Sequence, residues 1–169
     1  MLSALTFRRR FSDLSEQEVL ALAISSEEDD ARIYRSFAER LRADFPASAS
    51  VFDGMAAEED GHRQRLIDLH RARFGEVIPL IRREHVAGFY ARRPVWLSHS
   101  LSLETMRGEA AAMEKTAHDF YLRAAARTQD AATRKLLGDL AAAEAGHERH
   151  ALRLEETHLP QDARDAEDQ

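Results

Sequence analysis

Apolar residues recur along this chain every three or four positions, and strand-type alternation is absent. Alanine is frequent, while proline and glycine are scarce. That period belongs to α-helices with one buried stripe. A first helix is predicted from Ser15, where Ser15 and Glu18 form a capping-box pattern, to the break at Pro46. A second runs from about Ser48 to Phe74, with Gly75 as its C-terminal signal. A third spans about Ser102–Arg127. Thr128–Asp130 then makes a short turn, offering Asp130 as cap for a fourth helix that ends near His158. Between the second and third lies a long connection, Glu76–Ser100, broken by Pro79, Gly88 and Pro94 and with room for a short helical piece.

The order of connections is short, long, short. Two antiparallel hairpins joined by one long crossover is the ferritin-like four-helix arrangement, whereas a simple up-down bundle needs a short middle loop. The fold class is therefore all-α. A lead covers 1–14, the bundle 15–158, and an acidic, apolar-poor tail 159–169, expected to be disordered. The length of the crossover leaves exchange of hairpins between two chains open.

Each predicted helix has an inward seam, and each seam is interrupted at mid-helix by a glutamate. The first reads Leu20, Ile24, Glu27, Ala31, Tyr34, Ala38, Leu41. The second reads Phe52, Met55, Glu59, His62, Leu66, Leu69. The third reads Leu103, Met106, Ala110, Glu114, Ala117, Tyr121, Ala124, and the fourth Leu137, Leu140, Glu144, His147, Ala151, Leu154. A tyrosine follows Glu27 and Glu114 after seven residues, and a histidine follows Glu59 and Glu144 after three. The offsets between equivalent helices, 87 and 85 residues, differ only by turn length. This is a duplicated hairpin, and packing about a pseudo-twofold axis brings all six polar residues to one level of the core.

Composition narrows what that level does. A net charge of −6 over 169 residues, with one short basic cluster at Phe7–Phe11, argues against nucleic-acid binding. No cysteine is present, so disulfides, thiolate zinc sites and iron–sulfur clusters are excluded from this chain. The N-terminus lacks a signal-peptide pattern, and no apolar run reaches the roughly 20 residues of a membrane span, so an intracellular, soluble chain is expected. Four carboxylates cannot sit bare in a core, because an unpaired buried charge costs several kcal/mol. Two cations remove that cost. Four carboxylates and two imidazoles suit iron, and manganese accepts the same ligands. One Glu from each of two helices plus Glu-x-x-His from each of the other two is the recurring di-iron and di-manganese carboxylate constellation. The expected ligands are Glu27, Glu59, His62, Glu114, Glu144 and His147, with Glu59 and Glu144 bridging, Glu27 and Glu114 terminal, and one histidine per metal.

The stretches AISSEEDDARIYRSFAERL and AAAMEKTAHDFYLRAA, with the two Glu-x-x-His phrases, resemble the four helices of rubrerythrin-like proteins over roughly Ser15–Glu156. More closely, the segment from Tyr34 to Trp96 resembles the ferritin-like domain of membrane-bound ferritin A, a family in which it is fused to a vacuolar-iron-transporter-type membrane domain. The resemblance implies iron binding at the cytoplasmic face of a membrane, iron export, peroxide resistance and a homodimer. Rubrerythrins usually add a four-cysteine rubredoxin-like site, which this chain lacks, so it carries no electron donor of that kind.

Several assignments stay open on sequence alone. Glu28 and Glu58 are adjacent alternatives to Glu27 and Glu59, and His118, one turn after Glu114, is a possible extra ligand or a satisfied histidine. Tyr34 and Tyr121 are either plain core aromatics or hydrogen-bond donors to ligand carboxylates. His70, His85, His99, His150 and His158 read as non-ligands. Gly61 and Gly146, at equivalent places, suggest that a side chain there would crowd a neighbouring helix or the metal pocket. The first function expected is Fe(II) oxidation by hydrogen peroxide or dioxygen. The alternatives are a non-catalytic iron-sensing or delivery module for a membrane transporter, and a metal-free helical dimerisation module.

Overall fold

A computed structural model describes residues 8–87 and 101–147. It is an all-α bundle of four helices: α1 (Glu16–Leu41), α2 (Pro46–Phe74), α3 (Leu103–Arg127) and α4 (131–147). Ser15 caps α1 in a complete capping box with Glu18. Ser102 caps α3 by accepting from the Thr105 amide, and Asp130 accepts from the Thr133 amide at the start of α4. The expected end of the fourth helix near His158, with Ala151 and Leu154, lies outside the described residues, as do His99, His150 and the residues expected to form an acidic tail.

Two local expectations need correction. Pro46 does not merely stop the first helix; it opens the second, two residues ahead of the expected start at Ser48. A proline at the first helical position loses no hydrogen bond, because that N–H has no intrahelical partner. The chain also contains a short extended pairing, where β1 (Arg9–Arg10) runs parallel to β2 (Val86–Ala87). Two residues per strand are too few for an alternating pattern to show. At the end of α2, Gly75 adopts φ +91°, a left-handed conformation that favours glycine, and its amide caps the Arg71 carbonyl.

The core has two apolar clusters. One takes Leu20 and Ile24 of α1, Leu66 of α2, Phe120 and Tyr121 of α3, and Leu137 and Leu140 of α4. The other takes Phe37 and Leu41 of α1, Phe52 and Met55 of α2, and Met106 and Met113 of α3. Tracing α1, α2 and α3 between the clusters, and α4 from Leu137 in the first cluster to Glu144 at the polar level, gives the directions up, down, down, up. Two consecutive helices pointing the same way require a connection that travels the length of the bundle, which explains the long crossover between α2 and α3. Ile81 and Val86 of that crossover, with Phe11 and Leu14 ahead of α1, are buried in the first cluster. Arg127 holds the lead in place by donating to the carbonyls of Phe11, Ser12 and Leu14. The mid-helix glutamates lie in the gap between the two clusters. Among the described residues, no helix is long and apolar enough to cross a membrane.

Candidate metal centre

Seam periodicity carries the six expected residues to one level. Glu27, Glu59, Glu114 and Glu144 are 3%, 2%, 0% and 1% exposed, His62 is buried, and His147 is half-buried. Their polar atoms form two groups, each drawn together within 4.8 Å. One contains Glu27, Glu59, His62 and Glu144, the other Glu59, Glu114, Glu144 and His147. Glu59 and Glu144 therefore belong to both, while each hairpin's long-range Glu and the histidine beside it belong to one. Glu28, Glu58 and His118 are in neither group.

The inward atoms approach one another without bonding. His62 Nδ1 lies 3.1 Å from Glu144 Oε1, 3.6 Å from Glu59 Oε2 and 3.9 Å from Glu27 Oε1. His147 Nδ1 lies 3.3 Å from Glu114 Oε2. Yet His62 Nδ1, His147 Nδ1, Glu59 Oε1, Glu114 Oε2 and Glu144 Oε1 are all buried and lack a hydrogen-bond partner among the described residues. An orphaned buried polar atom costs about 1–3 kcal/mol. Five of them aimed at one place fit a cationic guest, and the mixed oxygen and nitrogen donor set fits iron or manganese.

The tyrosines act reciprocally across the bundle. Tyr34 donates to Glu114 Oε1 at 2.6 Å, and Tyr121 donates to Glu27 Oε1. Each phenol thus reaches the carboxylate of the other hairpin, as a pseudo-twofold axis requires. The two rings also sit in different apolar clusters, Tyr34 in one and Tyr121 in the other, so each anchors its glutamate from opposite ends.

Burial sets the protonation of the metal-free site. It raises the Glu27 carboxyl well above the usual range, helped by the adjacent Glu59. It pushes Glu59 up to about 8, with Glu114 and Asp30 adding to the shift. Burial and the charge of Glu59 drive Glu144 higher still. Glu114 differs: burial opposes its ionisation, but His147, Glu144 and Tyr34 outweigh that and lower it. Burial likewise opposes charge on both imidazoles. It lowers His62, whereas Glu114 and Glu58 overcome it at His147 and raise that ring. Three protonated carboxyls and one ionised Glu114–His147 pair describe a site that keeps its charge near neutral until cations arrive.

The open alternatives now separate. Glu58 points outward, 56% exposed at its side chain, and its carboxylate meets His147 Nε2. Glu28 pairs with Arg32 and, more loosely, Arg63 on the surface. His118 Nδ1 is 2.7 Å from the Ala141 carbonyl, which makes it a bridge between α3 and α4. The crowding expected at the glycines is not there: a Cβ on Gly61 or Gly146 would meet nothing within 4 Å. No steric demand therefore explains their matched positions.

One feature escaped sequence reasoning. Arg83, in the 3-10 turn Arg83–His85 of the crossover, is buried and donates to Asp30 Oδ1 at 2.6 Å and to the Ser26 carbonyl at 2.5 Å. Asp30 is one turn beyond Glu27, a seam-facing position where an acid was the available signal. An open groove lined by Val51, Gly54, Met55, Glu58 and His147 reaches the edge of the centre.

The rubrerythrin family model matches residues 18–155. The chain belongs to the rubrerythrin family. Its fold is similar to that of a ferritin-like diiron-carboxylate protein from Thermotoga maritima, with a TM-score of 0.67 and 19% identity over 85% of this chain and 96% of the other. No curated protein matches it.

Proposed function

We propose that this rubrerythrin-family bundle, spanning 15–158, binds two Fe(II) ions per chain and oxidises them with hydrogen peroxide or dioxygen. The observation that carries this is the pair of four-residue groups sharing Glu59 and Glu144. Two shared carboxylates, with one private Glu and one private His on each side, make two adjacent cation positions. Glu59 and Glu144 would bridge them, Glu27 and His62 would complete one, and Glu114 and His147 the other. Manganese fits the same donors.

Iron here is substrate, and each Fe(II) supplies one electron. Two such electrons and two protons convert hydrogen peroxide to two waters, or dioxygen to hydrogen peroxide. The protein's own part is to hold the ions side by side, to keep Glu27 and Glu114 oriented through Tyr121 and Tyr34, and to exclude bulk water with the apolar clusters on either side. Ion entry displaces the protons of Glu27, Glu59 and Glu144 and the Nδ1 proton of His147. Anaerobic loading followed by oxidant tests the proposal. The expected result is oxidation of two Fe(II) per chain, lost in Glu59→Ala and His62→Ala; unchanged oxidation in those variants would overturn it.

A second reading, iron sensing or delivery without turnover, is favoured by the groove that reaches His147 and by the lack of any cysteine in this chain. Transfer of iron to a partner faster than single-turnover oxidation would select it. Both readings extend to a homodimer, for which Val77 and Leu80 of the crossover, 82% and 79% exposed, offer apolar surface. The sequence resemblance to membrane-bound ferritin A supports a vacuolar-iron-transporter-type domain as receiver, at the cytoplasmic face of a membrane, in iron export and peroxide resistance.

A further inference from the structure

The inner residues of the centre obey the pseudo-twofold relation, but the next layer out does not. Glu58 precedes Glu59, and its carboxylate contacts the outer nitrogen, Nε2, of His147. Position 143 precedes Glu144 in the same way, and it is an alanine. Among the described residues, the carboxylates that approach His62 (Glu27, Glu59 and Glu144) all do so at the inner nitrogen, Nδ1. The rings are otherwise alike, nearly parallel at 9° with centroids 5.8 Å apart, and both aim Nδ1 inward. Among the described residues, one imidazole therefore has a carboxylate behind it and the other does not.

We propose that Glu58 is a positioning residue that makes the two cation positions unequal. When an ion displaces the Nδ1 proton of His147, Glu58 holds the remaining proton on Nε2, so the ring presents its Nδ1 lone pair to the centre in a fixed tautomer and a fixed plane. A carboxylate behind a ligating histidine also makes the ligand more basic, and losing such a partner typically weakens metal binding 10–100-fold. The position equivalent to Glu58 in the second hairpin is Ala143, which offers His62 no such carboxylate, so that ring takes the ligating tautomer without the help Glu58 gives His147. The position served by Glu114 and His147 fills first, and the position served by Glu27 and His62 fills second and releases its ion more readily. The inference rests on the dinuclear reading above. It adds that the duplicated site works as one retained ion and one exchangeable ion.

Co(II), followed through its visible absorption, is the probe, with circular dichroism confirming that each variant keeps its helices. The full chain should bind Co(II) in two steps whose dissociation constants differ by about 10–100-fold. Glu58→Ala should weaken the first step and bring the two together, with Glu58→Gln intermediate because its amide oxygen still accepts from Nε2–H. Ala143→Glu should strengthen the second step and narrow the gap from the other side, and it decides the matter even where Glu58→Ala loses helix. In a His147→Ala background, Glu58→Ala should change nothing further. Equal steps in the unmodified chain, a gap unmoved by these substitutions, or an undiminished Glu58 effect in the His147→Ala background would overturn the proposal. Absence of any Co(II) binding would instead defeat the dinuclear reading itself.

Discussion

The polar level and the two apolar clusters beside it share the same helices and are equally buried, yet they do opposite things for stability. Leu66 and Glu59, two turns apart on α2, are 0% and 2% exposed. Leu66 removes hydrocarbon from water, while Glu59 gives up hydration and leaves Oε1 without a partner. The clusters hold the bundle together, and the level between them is tolerated because they do. A site that binds cations tightly must be poorly satisfied when empty, and this one is.

Substitutions on either side of that contrast should give results of opposite sign. Leu66→Ala should cost the metal-free protein about 2–5 kcal/mol in chemical denaturation, the range for a large-to-small change in a packed core. That is a large part of the 5–15 kcal/mol typical of a whole domain.

The pH dependence should follow the buried carboxyls. Glu59 titrates at about 8 in the folded protein against an ordinary 4.5. A folded-state value above the unfolded one means its contribution is fully present below about pH 4.5 and is lost as pH climbs through 8. Glu27, Glu144 and His147 are raised and act in the same direction, His62 is lowered and blunts the effect, and the lowered Glu114 matters only below about pH 4.5. Metal-free protein should therefore lose stability between mildly acid and mildly alkaline pH, and Fe(II) affinity should rise over the same interval as protons leave. Denaturation midpoints rising with pH in metal-free protein would break this account.

Glu59→Gln sharpens the contrast further. It should leave the metal-free protein at pH 8 as stable as before, or more so, while abolishing stoichiometric Fe(II) binding measured by calorimetry. The smallest effect belongs to the glycine. Because nothing meets a Cβ at position 61, Gly61→Ala should raise stability by about 0.5–1 kcal/mol through helix propensity alone and leave metal binding intact.

How much of this was legible in the sequence depends on range. The helices, the crossover and the inward glutamates follow from periodicity and from a duplication that repeats Glu/Tyr and Glu/His spacing. The reciprocal tyrosines were half visible: the spacing marked Tyr34 and Tyr121, but which carboxylate each would reach depends on how the hairpins pack. The sorting of Glu58 from Glu59 followed from where His62 sits one turn on. The role of Glu58 did not, because its partner His147 is on another helix. The Arg83–Asp30 pair and the burial of Phe11 and Leu14 join segments far apart in the chain, and nothing local in either segment announces the other. Gly61 shows the converse, a repeated residue whose repetition carries no steric meaning.

Anaerobic titration of the full chain with Fe(II) at neutral pH, reading bound iron and released protons together, tests the central claim most directly. Two Fe(II) per chain, with protons released as Glu27, Glu59 and Glu144 ionise and His147 gives up its Nδ1 proton, is the predicted result. Binding of no iron, or iron uptake undiminished in Glu59→Ala, would contradict it.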